Sequence, residues 1–275
     1  MHEITNDASL RGLGASERKI ITALAALEQP TVTVDDVLNL FDLSRQKANL
    51  ILSRLSNKGW LRRLRRGVYV LVPLSSTSSQ PVIENPLTVA MKLFKPCYIS
   101  GWTAAEYWDL TEQIHNVVVV YSSTPQRKAM QEIGGVKYRV RRVPEETIFG
   151  TVRVWYGNVP VQMASPERMI IDILDSPEMG GGCRQTLDTV CAYWGRTSKD
   201  PDQLISYAEK LGRGSIFKRL GFTAEHFNAP DPGWIARCVN GLTKGIALLD
   251  PSGRRRGPIA SRWRLQINVP LESDV

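Results

Sequence analysis

Arg45, Gln46, Asn49, Ser53 and Ser56 recur along one side of the stretch from Asp42 to Val72, DLSRQKANLILSRLSNKGWLRRLRRGVYVLV. Side chains of these types suit the reading of base edges. Arginine bonds guanine O6 and N7, and glutamine or asparagine bonds adenine N6 and N7. Lys47 and Arg54 add cations to the same stretch, and Arg62, Arg63, Arg65 and Arg66 follow it. Cations of that kind neutralise phosphates, which sets affinity and register rather than sequence choice. No acidic residue stands between Asp42 and Glu84 to offset them.

Elements able to present these side chains are legible in the spacing. Ser44 is a good N-cap, its hydroxyl free to accept a backbone N–H at a helix start. Ala48, Ile51, Leu52 and Leu55 then recur at helical spacing and define an apolar face opposite the polar one. Lys58-Gly59 ends the helix, glycine supplying the left-handed backbone of a C-cap. Trp60-Leu61 and Val68 to Val72 read as two strands, with Arg62, Arg63, Arg65, Arg66 and Gly67 at the turn. Upstream, Ser16 caps a helix through Leu27 whose Ile20, Ile21, Leu24 and Leu27 face inward. Val32-Thr33 reads as a short strand or a cap. Val34 to Phe41 makes a second helix, and Asp42-Leu43 the turn into the third.

A basic run is often only a solvated face, and a Ser-capped amphipathic helix is common. The order helix, helix, turn, polar-faced helix, arginine hairpin is what favours DNA. The expectation is a winged helix-turn-helix over residues 15–73. Its recognition helix would use Ser44, Arg45, Gln46, Lys47, Asn49, Ser53 and Arg54, and its wing Arg62, Arg63, Arg65 and Arg66.

The chain has 275 residues, enough for two domains, and its composition is that of a globular protein with a sizeable core. A formal charge of +8 and a pI near 9.4 favour a polyanionic partner, nucleic acid before membrane. No apolar run approaches the ~20 residues that span a bilayer. The start MHEITNDASL has neither the basic beginning nor the apolar centre of a signal peptide, so a bacterial-type cytoplasm is expected. Cys97, Cys183, Cys191 and Cys238 show no paired spacing, which reads as reduced thiols and neither a metal site nor a cofactor. With His2, His115 and His226 as the histidines, imidazole catalysis has little to work with.

Residues 1–14 read as a loose leader and 74–84, rich in serine and proline, as a linker. The remaining 85–275 read as a larger mixed α/β domain, making the whole α+β. A helix is expected from Pro86 to Phe94 and another from Ala104 to Asp109. Strands are expected at His115 to Tyr121, with Val117–Val120 too apolar for a surface strand, and at Lys137 to Val143. Two more are expected at Ile148 to Trp155 and Val159 to Ala164. Arg127 to Ile133 is ambiguous. From Ser165, a cap followed by Pro166, the chain turns helical, with Met169, Ile170, Ile173 and Leu174 as an apolar stripe. Helices follow over about 184–194, 201–211, 215–220 and 232–240. A basic loop, Arg254, Arg255 and Arg256, and a closing strand from Arg262 to Val269 finish the chain.

GWLRRLRRGVYVLVPL, YISGWTAAEYWDLTEQI, the strand–helix junction MASPERMIIDIL with its following glycine run, and SRWRLQINVP together resemble the AbiEi antitoxins of bacterial abortive-infection toxin–antitoxin pairs. The resemblance extends from about residue 15 to 270 and rests on the order of these motifs more than on any one. It implies an N-terminal domain bound to double-stranded DNA at inverted repeats in the promoter of its own operon. It also implies a C-terminal antitoxin domain that counters a nucleotidyltransferase-like toxin encoded next door. By that likeness the system is of type IV, in which antitoxin and toxin need not form a stable complex.

Arg254, Arg255, Arg256, Arg262 and Arg264 read as a second phosphate-binding strip, a toxin-facing patch or a solvated loop. Arg139, Arg141 and Arg142 extend such a strip or simply form a wet strand face. An enzymatic second domain finds little support. Glu167 and Asp172 are about 500° apart on a helix and share no face. An Arg168–Asp172 pair at i,i+4 reads as a surface or half-buried ion pair. Glycines 180–182 lack the Lys-Ser/Thr of a phosphate loop. Tyr107, Trp108, Trp155, Trp194 and Trp263 read as core aromatics. The alternative to an antitoxin is a ligand-responsive repressor whose C-terminal domain binds a small molecule.

Overall fold

The computed structural model describes residues 12–27, 29–72, 83, 85–227 and 232–271. In chain order these carry α1 (Ala15–Ala25), β1 (Val32–Thr33), α2 (Val34–Leu40), α3 (Arg45–Asn57), β2 (Leu61–Arg65), β3 (Val68–Leu71), α4 (Pro86–Leu93), β4 (Cys97–Ile99) and α5 (Gly101–Tyr107). Then come β5 (Val117–Ser122), β6 (Met130–Ile133), β7 (Val136–Arg142), β8 (Thr151–Tyr156), β9 (Val159–Ala164), α6 (Pro166–Asp175), α7 (Cys183–Gly195), α8 (Pro201–Leu211), α9 (Gly214–His226), α10 (Pro232–Asn240), β10 (Ala247–Leu248), β11 (Ile259–Ala260) and β12 (Leu265–Gln266). The strands form three sheets, ordered β1-β3-β2, β6-β7-β5-β4-β9-β8 and β10-β12-β11. The α+β class expected from the sequence is what is observed. The expected leader up to residue 11 and the linker apart from Ile83 lie outside the described residues.

Contacts group the chain into two compact units, Met1–Lys95 with Met130–Tyr138 and Trp155–Val161, and the remainder. The first has a core of Ile20 and Leu24 from α1, Val34 and Val37 from α2, Ala48, Leu52 and Leu55 from α3, and Val32, Leu61 and Tyr69 from the small sheet. Val32-Thr33 proves to be both strand and cap. It pairs antiparallel with β3, Val32 opposite Tyr69, while the Thr33 hydroxyl accepts the Asp36 N–H at 3.3 Å. The Asp36 carboxylate in turn accepts the Thr33 N–H at 2.7 Å, completing a reciprocal cap. Helix α1 starts two residues earlier than Ser16 would allow as a cap. Gly14 stands at the N-cap and its N–H is accepted by Glu17, which places Ser16 inside the helix.

The second unit is built around α6, buried from Glu167 to Leu174 and packed against α5, α7, α8 and α9. Ser165 caps it as expected, accepting the Arg168 N–H at 3.2 Å. Because every side is covered, the Arg168–Asp172 pair is not at a surface: the two side chains are 1% and 3% exposed. The sequence spacing gave the pair but could not show that a sheet lies over it. One ambiguity is resolved and two other expectations are corrected. Arg127 to Ile133 resolves into β6 at its end. The helix expected at Ala104 begins at Gly101, whose φ of +60° and closeness to the Met179 carbonyl exclude a side chain. The closing strand shrinks to Leu265-Gln266, with Arg262 in a 3-10 turn (Ser261–Trp263) and Arg264 left-handed at φ +49°. Trp263 closes that turn with its ring buried against Gly221 of α9, where a Cβ would meet it at 1.9 Å.

Candidate nucleic-acid interface

Helix α3 is fixed at both ends by its own sequence. Ser44 accepts the Lys47 N–H at 3.3 Å. At the other end Gly59, with φ +85°, donates its N–H to Ser56 and Trp60 donates to Leu55, both at 3.0 Å. These two bonds make the glycine-terminated cap that satisfies the last carbonyls. Lys58 then ties this end to α1 through an ion pair with Glu17 at 2.6 Å. With Ala48, Leu52 and Leu55 buried and Ile51 half-buried, the opposite side of α3 faces solvent.

On that side the expected reading residues are not equivalent. Arg45 is engaged by Asp35 of α2 at 2.6 Å, both groups being well exposed. Asn49 donates its amide to the Arg45 carbonyl at 2.9 Å. Gln46, Lys47, Ser53 and Arg54 are exposed, while Ser56 is half-buried. The sequence reading omitted Leu50, which is 59% exposed although it is a large apolar side chain. Its position out of phase with Ala48, Leu52 and Leu55 was the available signal.

The hairpin differs from expectation in where its arginines sit. Strand β2 runs through Arg65, so Arg62, Arg63 and Arg65 belong to the strand and only Arg66-Gly67 make the turn. Backbone pairing continues past Leu61 because Arg62 opposes Val70 and Arg63 opposes Tyr69, until a bulge between Arg63 and Arg65 resets the register. Gly67 adopts φ +79° in open space, so the turn needs glycine for its backbone and not for room. Arg63 and Arg66 are exposed, and Arg62 is half-buried. Arg65, though exposed, donates to the Lys92 carbonyl at 3.3 Å, and burial holds its pKa below the ordinary arginine value.

The other arginines named from the sequence are arranged differently. Arg254, Arg255 and Arg256 are exposed between β10 and β11, where Asn268 braces the loop by donating to the Arg254 carbonyl at 3.2 Å. Arg262 pairs with Glu225, and Arg264 donates to the Thr243 carbonyl at 3.2 Å. Arg139 stacks over Trp102 at 5.3 Å, and Arg141 is forked between Asp175 and Glu178, each at 3.0 Å. Arg142 is exposed. The tyrosine and tryptophans read as core are buried or half-buried, except Tyr107 and Trp155, 39% and 58% exposed. Among the described residues no group of three or more His, Cys, Asp or Glu is placed to hold a metal ion. No helix among them is long and apolar enough to cross a membrane. A cleft of about 530 Å³ is lined by Arg184, Asp188, Cys191, His226, Phe227 and Asp250, among others.

The structure resembles the crystal structure of RV2827C protein from Mycobacterium tuberculosis, with a TM-score of 0.61 over 95% of this chain and 94% of that one. Identity is 14%, so this likeness concerns the fold alone. Comparison with curated proteins finds no match. Residues 19–72 match the family model described as transcriptional regulator, AbiEi antitoxin. Over the segment that carries the outward face of α3 and the arginine hairpin, the chain is thus similar to the AbiEi antitoxin family of transcriptional regulators, as its sequence motifs indicated.

Proposed function

We propose that the chain is a DNA-binding antitoxin-type regulator that uses residues 15–73 as a winged helix-turn-helix. Helix α3 enters the major groove, and Arg62, Arg63 and Arg66 hold phosphate or the minor groove beside it. The observation carrying this reading is the capped α3, polar and exposed opposite its core, joined directly to exposed arginines within the AbiEi-like segment. The regulator represses its own operon at inverted repeats, in the cytoplasm, and 85–275 counter a nucleotidyltransferase-like toxin encoded beside it. Catalysis has no part in this reading.

Two measurements test it. Full-length protein should retard duplexes from its own upstream region at low ionic strength, with affinity falling steeply as salt rises. Failure to retard any of them removes the autorepressor. Co-expression with the neighbouring nucleotidyltransferase-like gene should restore growth, and continued arrest removes the antitoxin role. The cleft on α7 gives a second reading, a small-molecule-responsive repressor, a place to act. A metabolic operon at the same locus, with DNA binding modulated by its metabolites, would favour that reading.

A further inference from the structure

Helix α3 carries one side chain that neither its core nor its solubility explains. At about 100° per residue, Gln46, Leu50 and Asn57 all lie within about 30° of the direction opposite Ala48, Leu52 and Leu55. Arg45, by contrast, sits roughly 130° from that direction, beside the core edge, where Asp35 engages it. Asn49 lies on the flank and is bonded back to its own helix. The centre line of the outward face is therefore Gln46, Leu50 and Asn57, with Ser53 and Arg54 on either side. A leucine 59% exposed on that line stands among the exposed polar side chains Gln46, Lys47, Ser53 and Arg54.

Along α3 and the hairpin the charge is of one sign. Lys47 and Arg54 flank Leu50 on the helix, Arg62, Arg63 and Arg66 follow on the hairpin, and no carboxylate occurs between Asp42 and Glu84. Such a surface is complementary to a duplex. In the major groove the apolar feature of a base pair is the thymine C5-methyl, and apolar side chains read it by contact. Resting on the proposed DNA-binding reading, we infer that Leu50 reads a 5-methylpyrimidine, and that sequence choice centres on Gln46 and Leu50 rather than on Arg45 and Asn49.

The probe is the duplex enriched from a randomised pool by the full-length protein, remade with each thymine replaced singly by deoxyuridine, which removes the methyl and keeps every hydrogen-bonding group. At one or two thymines the wild type should lose roughly fourfold in affinity, the worth of one buried methyl-sized group. Leu50→Ala, a change on an exposed helix face that leaves the core intact, should bind thymine and uracil duplexes alike. If the wild type binds its selected duplex but tolerates uracil everywhere, the inference is overturned and DNA binding stands. A uracil penalty that persists in Leu50→Ala overturns it too, because another residue then reads the methyl. Should no duplex be enriched, the DNA-binding reading itself falls.

Discussion

In the first unit Arg62 and Arg66 make no side-chain hydrogen bond or ion pair among the described residues, and Arg63 reaches only the carbonyl of its neighbour Arg65, at 3.4 Å. In the second, Arg168 and Arg219 are 1% and 4% exposed and are held by internal partners. Asp172 receives the Arg168 Nε at 3.1 Å, the Ser100 hydroxyl at 2.7 Å and the Tyr98 hydroxyl at 3.1 Å, while Arg168 also donates to Tyr98 at 2.7 Å and lies over Phe149 at 4.3 Å. Burial raises the Asp172 carboxyl above its ordinary range, and Arg168, Ser100 and Tyr98 oppose that rise. Arg219 donates to the carbonyls of Leu174, Leu248 and Leu249, closing the end of α6 onto β10. One residue type thus serves two purposes. Where it is buried among internal partners it holds the fold; where it is exposed without them, its charge is available to a polyanion. The net charge of +8 does not by itself say which arginines do which.

The comparison breaks most visibly at Asp172. Asp172→Asn leaves Arg168 charged and buried, and should cost about 3–5 kcal/mol in urea unfolding of the full chain. Replacing both groups with apolar ones of similar size (Arg168→Met with Asp172→Leu) should cost far less, because no charge is then stranded. A loss below about 1 kcal/mol in the single variant would mean the pair is not sealed from water.

Next in size is the reading face. Gln46→Ala should lose about 1–3 kcal/mol of binding and relax choice at one base pair. Arg45→Ala should lose less, because Asp35 already engages its guanidinium. A competition series against single-base variants of the selected duplex measures both, and the reverse ranking would restore Arg45 as the principal reader.

Smaller again is the hairpin. Arg66→Ala should weaken all sequences together and reduce the slope of log K against log salt by about one unit. Arg65→Ala should change that slope less, since Arg65 bonds the Lys92 carbonyl. Equal slopes for the two variants would erase the distinction between them.

The smallest effect concerns the tie between α1 and α3. Lys58, then the Gly14 N–H, holds the Glu17 carboxyl below its ordinary value of 4.5. A depressed carboxyl contributes stability that is present above its unfolded pKa and lost as pH falls through its folded one. Glu17→Gln should therefore flatten the fall in urea midpoint below pH 4.5 while lowering it slightly at neutral pH. An unchanged acid limb would show that the Lys58–Glu17 pair contributes nothing measurable.

Much of the N-terminal unit was legible because its signals are local. Ser44, Gly59 and Gly67 act within a few residues of themselves, and the period of Ala48, Leu52 and Leu55 sets which side of α3 is inward. The wing was read with its arginines in the turn because strand ends depend on backbone pairing. Val70 and Tyr69 extend β2 through residues whose composition suggests a loop. Leu50 was missed for a related reason. A leucine in a helix is ordinarily counted as core, and only its phase against the buried three shows otherwise.

From the sequence alone came the caps, the helical phases, the strand around Lys137 to Val143, and a basic surplus suited to nucleic acid. Each depends on neighbours along the chain or on a sum over it. Tertiary structure alone decided which charges are free. Asp35 reaches Arg45, Lys92 reaches Arg65, Glu225 reaches Arg262, and a sheet covers Arg168 with Tyr98 and Ser100. Those partners lie 10 to 70 residues apart in the chain. Burial and pairing are properties of the space around a side chain, and most of that space is filled by residues brought in from elsewhere in the sequence.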